Sequence, residues 1–191
     1  MNRLALWWFR RRGWTMVGTR PSQAKYVVAG APHTSNSDFL AFLAAVRYFD
    51  IPARYIGKHT LFRWPLGALM RRLGGIPVRR HTSQGLVEQV VAEFGRAGEM
   101  ALVVAPEGTR SKGEYWHSGF YRIAVGAGVP IVCGFVDYAT KTIGLGPAIE
   151  PTGDVRADMD RIRAFYAGKR GRRPGQETPP RLREEDAGIE D

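Results

Sequence analysis

The chain has 191 residues and a formal net charge of +10. That length suits one domain with a proper hydrophobic core, and a single cysteine, Cys133, excludes a disulfide framework or a thiolate metal cluster and is consistent with a reducing compartment. The charge calls for an anionic partner: a membrane surface, a phosphorylated substrate or nucleic acid.

The basic residues are unevenly spread. The first 37 residues hold six of them and no acid. Arg54, Lys58, Arg63, Arg71, Arg72, Arg79 and Arg80 then lie between Asp50 and Glu88, again without an acid. Residues 1–16 open the chain with an apolar run, Leu4 to Phe9, followed by Arg10, Arg11 and Arg12. Six apolar residues fall far short of the roughly 20 needed to span a bilayer. The charges come after the run, and no small-residue cleavage site appears, so it is not a signal peptide. Tryptophans beside arginines suit the headgroup layer. A terminal helix docked on the core is the alternative; a membrane-interfacial segment is the expectation taken.

Residues 26–29 read as a buried strand, and the apolar periodicity from Phe39 to Phe49 reads as a helix. Between them stands Pro32-His33-Thr34-Ser35-Asn36-Ser37-Asp38. His33 therefore sits where a strand hands over to a helix, the place where ligands gather in α/β proteins. A turn between His33 and Asp38 lets the carboxylate reach back to the imidazole. It would then fix the tautomer and leave the other nitrogen free as a base. A loop histidine satisfied by its neighbours is the competing reading of this pair taken alone.

Residues 53–57 read as a second strand, and residues 60–73 as an apolar stretch broken by Pro65 and Gly67. That stretch is either a buried helix or a greasy wall for a lipid chain. A glycine turn at Gly74-Gly75 leads into a third strand ending in Arg79-Arg80. Residues 83–97 form a helix and residues 100–105 a fourth strand. That strand ends in Pro106-Glu107-Gly108-Thr109-Arg110-Ser111. Gly108 lets the backbone approach a ligand. Thr109, Ser111 and Arg110 offer the donors a phosphate needs. Glu107 can orient Arg110 or accept a hydrogen bond from a substrate hydroxyl. A polar turn with a local ion pair is the plainer alternative. Next come a helix over 119–128, a strand over 129–136, two short extended pieces near 138–145 and 148–150, and a helix over 154–167. From residue 168 the chain is Arg, Gly, Pro and Glu with almost nothing apolar, so residues 168–191 are expected to be a disordered polar tail.

Taken together, His33-x4-Asp38, the Gly74 to Arg80 turn, Pro106 to Ser111 and the Val129-Pro130-Ile131 strand resemble the four ordered blocks of the glycerolipid acyltransferases. Gly57-Lys58-His59 and Ser118-Gly119-Phe120 add to the resemblance. It implies an α/β domain with a mixed central sheet flanked by helices, over residues 17–167. It implies transfer of an acyl chain from acyl-CoA or acyl carrier protein to a lysophospholipid hydroxyl, such as that of lysophosphatidic acid. His33 would be the base and Asp38 its partner. Lys58, Arg80, Glu107, Gly108, Thr109 and Arg110 would bind substrate. No metal or prosthetic cofactor is expected, since a thioester is already activated. Arg79 stands where an acid often precedes the block's arginine, so the acceptor can differ from lysophosphatidic acid. The expected location is peripheral, on the cytoplasmic face of the cell membrane, against an anionic surface. The rivals are a thioesterase that lets water attack and a non-catalytic anionic-lipid binding module. Nucleic acid is not expected as a partner.

Overall fold

The computed structural model describes residues 2–63, 65, 67–72, 74–78 and 83–186. Its frame is one seven-stranded sheet. In chain order the elements are α1 (Asn2–Arg11), β1 (Thr15–Val17), β2 (Lys25–Ala31), α2 (Asp38–Tyr48), β3 (Ala53–Lys58), α3 (Gly67–Arg72) and β4 (Gly75–Val78). The remainder are α4 (Ser83–Arg96), β5 (Met100–Val104), α5 (Gly119–Ala127), β6 (Ile131–Asp137), β7 (Thr142–Ile149) and α6 (Val155–Tyr166). The strand order is β1-β7-β6-β2-β5-β3-β4. Every neighbouring pair is parallel except β6 and β7. The expected mixed sheet flanked by helices is therefore the fold.

β2 lies near the middle and shows why the sheet needs two covers. Its side chains alternate between faces with period two. Val27, Ala29 and Ala31 join a core with Val90, Phe94, Phe120, Ile123 and Ile162 from α4, α5 and α6. Tyr26 and Val28 join Phe49, Ile51 and Leu145 on the opposite face. Local signals close the helices. Asp154 caps α6 by accepting from the Ala157 N–H at 3.0 Å. Gly128 ends α5 in the left-handed region at φ 61°.

Four expectations change in detail. Residues 142–149 form one strand hairpinned to β6 instead of two short pieces. Residues 15–17 add an edge strand that the sequence reading missed. The apolar stretch after β3 divides into a 3₁₀ turn, His59–Phe62, and α3; Trp64, Leu66 and Leu73 lie outside the described residues. The largest correction is the tail. Residues 168–186 pack onto the domain, with Thr178 at 3 %, Leu182 at 0 % and Glu185 at 7 % exposure. The Trp116 indole donates to the Thr178 carbonyl at 3.0 Å, and the Leu182 N–H donates to Glu185 at 2.7 Å. Arg163 donates to the Pro180 carbonyl at 2.7 Å and to Glu185 at 2.9 Å. Composition predicts disorder because so few residues are apolar. Anchors at a few buried positions and backbone hydrogen bonds are enough to fix the segment.

α1 packs against α2, so one face of the N-terminal segment is docked on the core. Ala5 and Phe9, one turn apart, are buried, while Leu4 and Trp7 are 71 % and 57 % exposed. Phe9 meets Trp14 edge-on at 5.0 Å, and Trp14 meets Tyr138 at 4.9 Å. Among the described residues, no helix is long and apolar enough to cross a membrane.

Candidate active site

Three adjacent parallel strands, β5, β2 and β6, carry their carboxyl ends to one edge of the sheet. The loops leaving these strands are therefore neighbours in space. β2 runs into His33, β5 into Glu107, and β6 into Tyr138.

Asp38 starts α2, and its carboxylate turns back over the loop before it. Oδ2 accepts from the Thr34 N–H at 2.9 Å and the Ser35 N–H at 2.8 Å. The same oxygen lies 3.4 Å from His33 Nδ1, within ion-pair reach and longer than a good hydrogen bond. Asp38 is 7 % exposed. Its second oxygen, Oδ1, accepts from the Tyr138 hydroxyl at 2.8 Å. That hydroxyl also lies 2.8 Å from Ser37 Oγ. Burial, aided by the neighbouring Asp38 charge, pushes the Tyr138 phenol up to about 12. It therefore stays protonated as a donor at neutral pH. The carboxylate is thus held on both oxygens, while His33 remains partly exposed and its Nε2 has no protein partner among the described residues.

Glu107 is 3 % exposed and does not orient Arg110. Oε1 accepts from the His33 N–H at 2.6 Å, and Oε2 accepts from the Thr178 N–H at 3.0 Å. It ties the backbone of the loop carrying His33 to the C-terminal segment. Burial pushes its carboxyl up, and the two backbone N–H groups oppose that shift. Gly108 has φ 68°, and a Cβ there would overlap the His117 ring. The glycine is needed for both reasons. Thr109 is exposed, and its hydroxyl accepts from the Ser111 N–H at 3.4 Å. Arg110 is exposed and donates to the Asn36 side-chain oxygen, which brings it to the His33 loop. Lys58 ends β3, and nothing is described of its side chain; Arg80 lies outside the described residues. Cys133 is fully buried, and burial pushes its thiol up to about 12, so it is an inert core group.

An apolar cavity of about 290 Å³ runs from His33 and Asp38 beneath α2. Phe42 and Val46 of α2 line one side; Val28, Gly30, Gly134 and Leu145 of the sheet line the other. Gly30 and Gly134 are paired in the β2–β6 register and place no side chain there. Tyr138 and the glycine pair escaped the sequence reading. Each acquires its meaning from strand order, which brings together residues about 100 apart.

A histidine–carboxylate pair lines an apolar cavity off the carboxyl ends of parallel strands, the place where α/β proteins bind their ligands. The acyltransferase family model matches residues 15–135. The chain belongs to the acyltransferase family, as the glycerolipid resemblance implied, and is an O-acyltransferase. Among solved structures, the fold is similar to the 1-acyl-sn-glycerophosphate (LPA) acyltransferase PlsC from Thermotoga maritima. The two share 18 % identity with a TM-score of 0.57, over 86 % of this chain and 77 % of that one. No curated protein matches the chain by sequence.

Proposed function

We propose that the protein transfers a fatty acyl chain from a thioester, on coenzyme A or acyl carrier protein, to a hydroxyl of a lysophospholipid such as lysophosphatidic acid. The observation that carries this reading is the apolar cavity lined by His33 and Asp38. The acyl chain enters the cavity, and the thioester carbonyl stops at its mouth. His33 Nε2 takes the proton from the acceptor hydroxyl as that oxygen attacks the carbonyl. Asp38 holds Nδ1 and stabilises the imidazolium that forms. The tetrahedral intermediate collapses, the carbon–sulfur bond breaks, and the thiolate leaves with the proton returned from His33. No metal or prosthetic group is required by this sequence of steps.

Arg110 and, from the resemblance, Arg80 and Lys58 are assigned to the acceptor's charged headgroup. Binding there positions the hydroxyl. Leu4 and Trp7 on α1, together with Phe39 and Leu40 on α2, are large apolar side chains left exposed. With Arg10, Arg11 and Arg12 beside them, they support peripheral docking on the anionic cytoplasmic face of the cell membrane. The test is release of free thiol from palmitoyl-CoA with and without lysophosphatidic acid. Acceptor-dependent release supports transfer. Acceptor-independent release points to hydrolysis, and no release with any thioester offered removes the reading.

A further inference from the structure

The C-terminal segment carries positive charge that the acyl-transfer steps do not use. Lys169, Arg170, Arg172 and Arg173 stand within five residues. Lys169 is committed: it donates to the Phe165 carbonyl at 2.7 Å and lies over the Phe135 and Phe165 rings. Arg172 and Arg173 are exposed, and no hydrogen bond or ion pair holds either guanidinium among the described residues.

Their backbone, by contrast, is fixed against the loop carrying His33. The Tyr138 N–H donates to the Arg170 carbonyl at 2.9 Å, and the Arg170 N–H donates to Asp137 at 3.2 Å. The Arg173 N–H donates to Thr34 Oγ1 at 3.1 Å. Gly171 lies so close to Thr34 that a Cβ would meet its side chain at 2.6 Å. Thr34 is the next residue after His33 and is fully buried. The nearby acids are engaged with backbone groups. Glu177 accepts from Gly171 and Gly175, and Asp137 accepts from Ala139 as well as Arg170. Arg110, from the loop after β5, donates to Asn36 of the same His33 loop. Arginine-bearing segments from two separate parts of the chain thus contact the His33 loop.

We infer that Arg172 and Arg173 form a phosphate-binding site beside His33, taking a phosphate group of a substrate. A phosphate suits them because two planar forks can each donate in bidentate fashion. The acyl-transfer reading supplies two sources of that phosphate, the coenzyme A donor and the lysophospholipid acceptor, and the inference rests on that reading for the choice between them. The fixed backbone keeps this stretch of chain against the His33 loop, so little of the binding energy is lost in arranging it.

The test is calorimetric titration of the wild-type chain and the Arg172→Ala/Arg173→Ala double variant with coenzyme A, dephospho-coenzyme A and sn-glycerol 3-phosphate. The segment is anchored through backbone groups, so the double variant keeps the wild-type melting temperature. Should it not, Arg172→Gln/Arg173→Gln retains most of the side-chain length without the charge. The expected result is a dissociation constant raised about 10-fold or more for at least one phosphate ligand. A loss confined to coenzyme A and its dephospho form assigns the donor; a loss confined to glycerol 3-phosphate assigns the acceptor. Unchanged constants, or no binding by the wild type, overturn the inference. Titration needs no turnover. A chain that binds through the arginines but transfers no acyl group keeps this site and loses the transfer reading. Transfer with unmoved constants does the reverse.

Discussion

At the scale of single residues, the site is built around one carboxylate. Asp38 accepts three hydrogen bonds, two from the loop backbone and one from Tyr138, and faces His33 with the same oxygen that holds the loop. Removing one donor leaves a buried oxygen unsatisfied, at about 1 to 3 kcal/mol. Tyr138→Phe is expected to lower kcat about 10-fold while KM hardly moves, with the circular dichroism spectrum unchanged. Asp38→Asn should lower kcat further, since the imidazolium then lacks its counter-charge. Steady-state kinetics at saturating donor decides it. A raised KM with kcat unchanged for both variants would assign these residues to binding. The His33–Asp38 pair was legible in the sequence because one turn of chain joins them. The place of Glu107 beside the His33 loop was legible, but not the backbone groups its carboxylate holds. Whether a carboxylate faces substrate or the neighbouring backbone depends on the β2–β5 register, which no local pattern contains.

Among the elements, the C-terminal segment decides most. Its composition of Arg, Gly, Pro and Glu carries no periodic signal, and its order comes from a few anchors spaced along it. Leu182 is the apolar one. Leu182→Ala is expected to destabilise the protein by about 2 to 4 kcal/mol, read as a fall in melting temperature; no change would mean that the segment is detached in solution. Its polar anchors give a pH dependence. Glu177 accepts from the Gly171 and Gly175 N–H groups at 2.9 and 2.6 Å. Burial pushes its carboxyl up, but the backbone N–H groups of Glu177 itself, Gly171 and Gly175, together with the Arg170 charge, hold it below its ordinary value of 4.5. A carboxyl lowered in the folded state stabilises fully above 4.5 and loses that contribution as pH falls through the lowered value. Hydrogen-exchange protection of the Gly171 and Gly175 amides, corrected for intrinsic rate, should therefore be constant above the ordinary value of 4.5 and fall as the pH drops through the lowered one. Protection independent of pH would show that another acceptor holds these amides.

For the whole molecule, the sheet order explains how separate parts of the chain meet. Helix and strand periods were legible in the sequence, and so was the mixed sheet once the ordered blocks were in view. The edge strand β1 was not legible, because three residues, Thr15 to Val17, carry too short an alternation to stand out beside the arginine-rich run before them. The N-terminal helix has one face on the core and the other exposed, so docking and membrane contact are not exclusive. Deleting residues 1–12 is expected to weaken binding to anionic vesicles by about 10-fold or more and to leave turnover on a detergent-dispersed acceptor nearly intact. Equal loss of both would show that Phe9 mainly supports Trp14 and, through it, Tyr138. The central claim is that His33 is the base that activates an acceptor hydroxyl. Mass-spectrometric detection of acylated product from palmitoyl-CoA and lysophosphatidic acid, compared between the wild type and His33→Ala, tests it most directly. Phosphatidic acid is expected from the wild type, with the rate lowered about 100- to 10,000-fold in the variant and fold and melting temperature retained. A folded His33→Ala variant that forms product at the wild-type rate would contradict it.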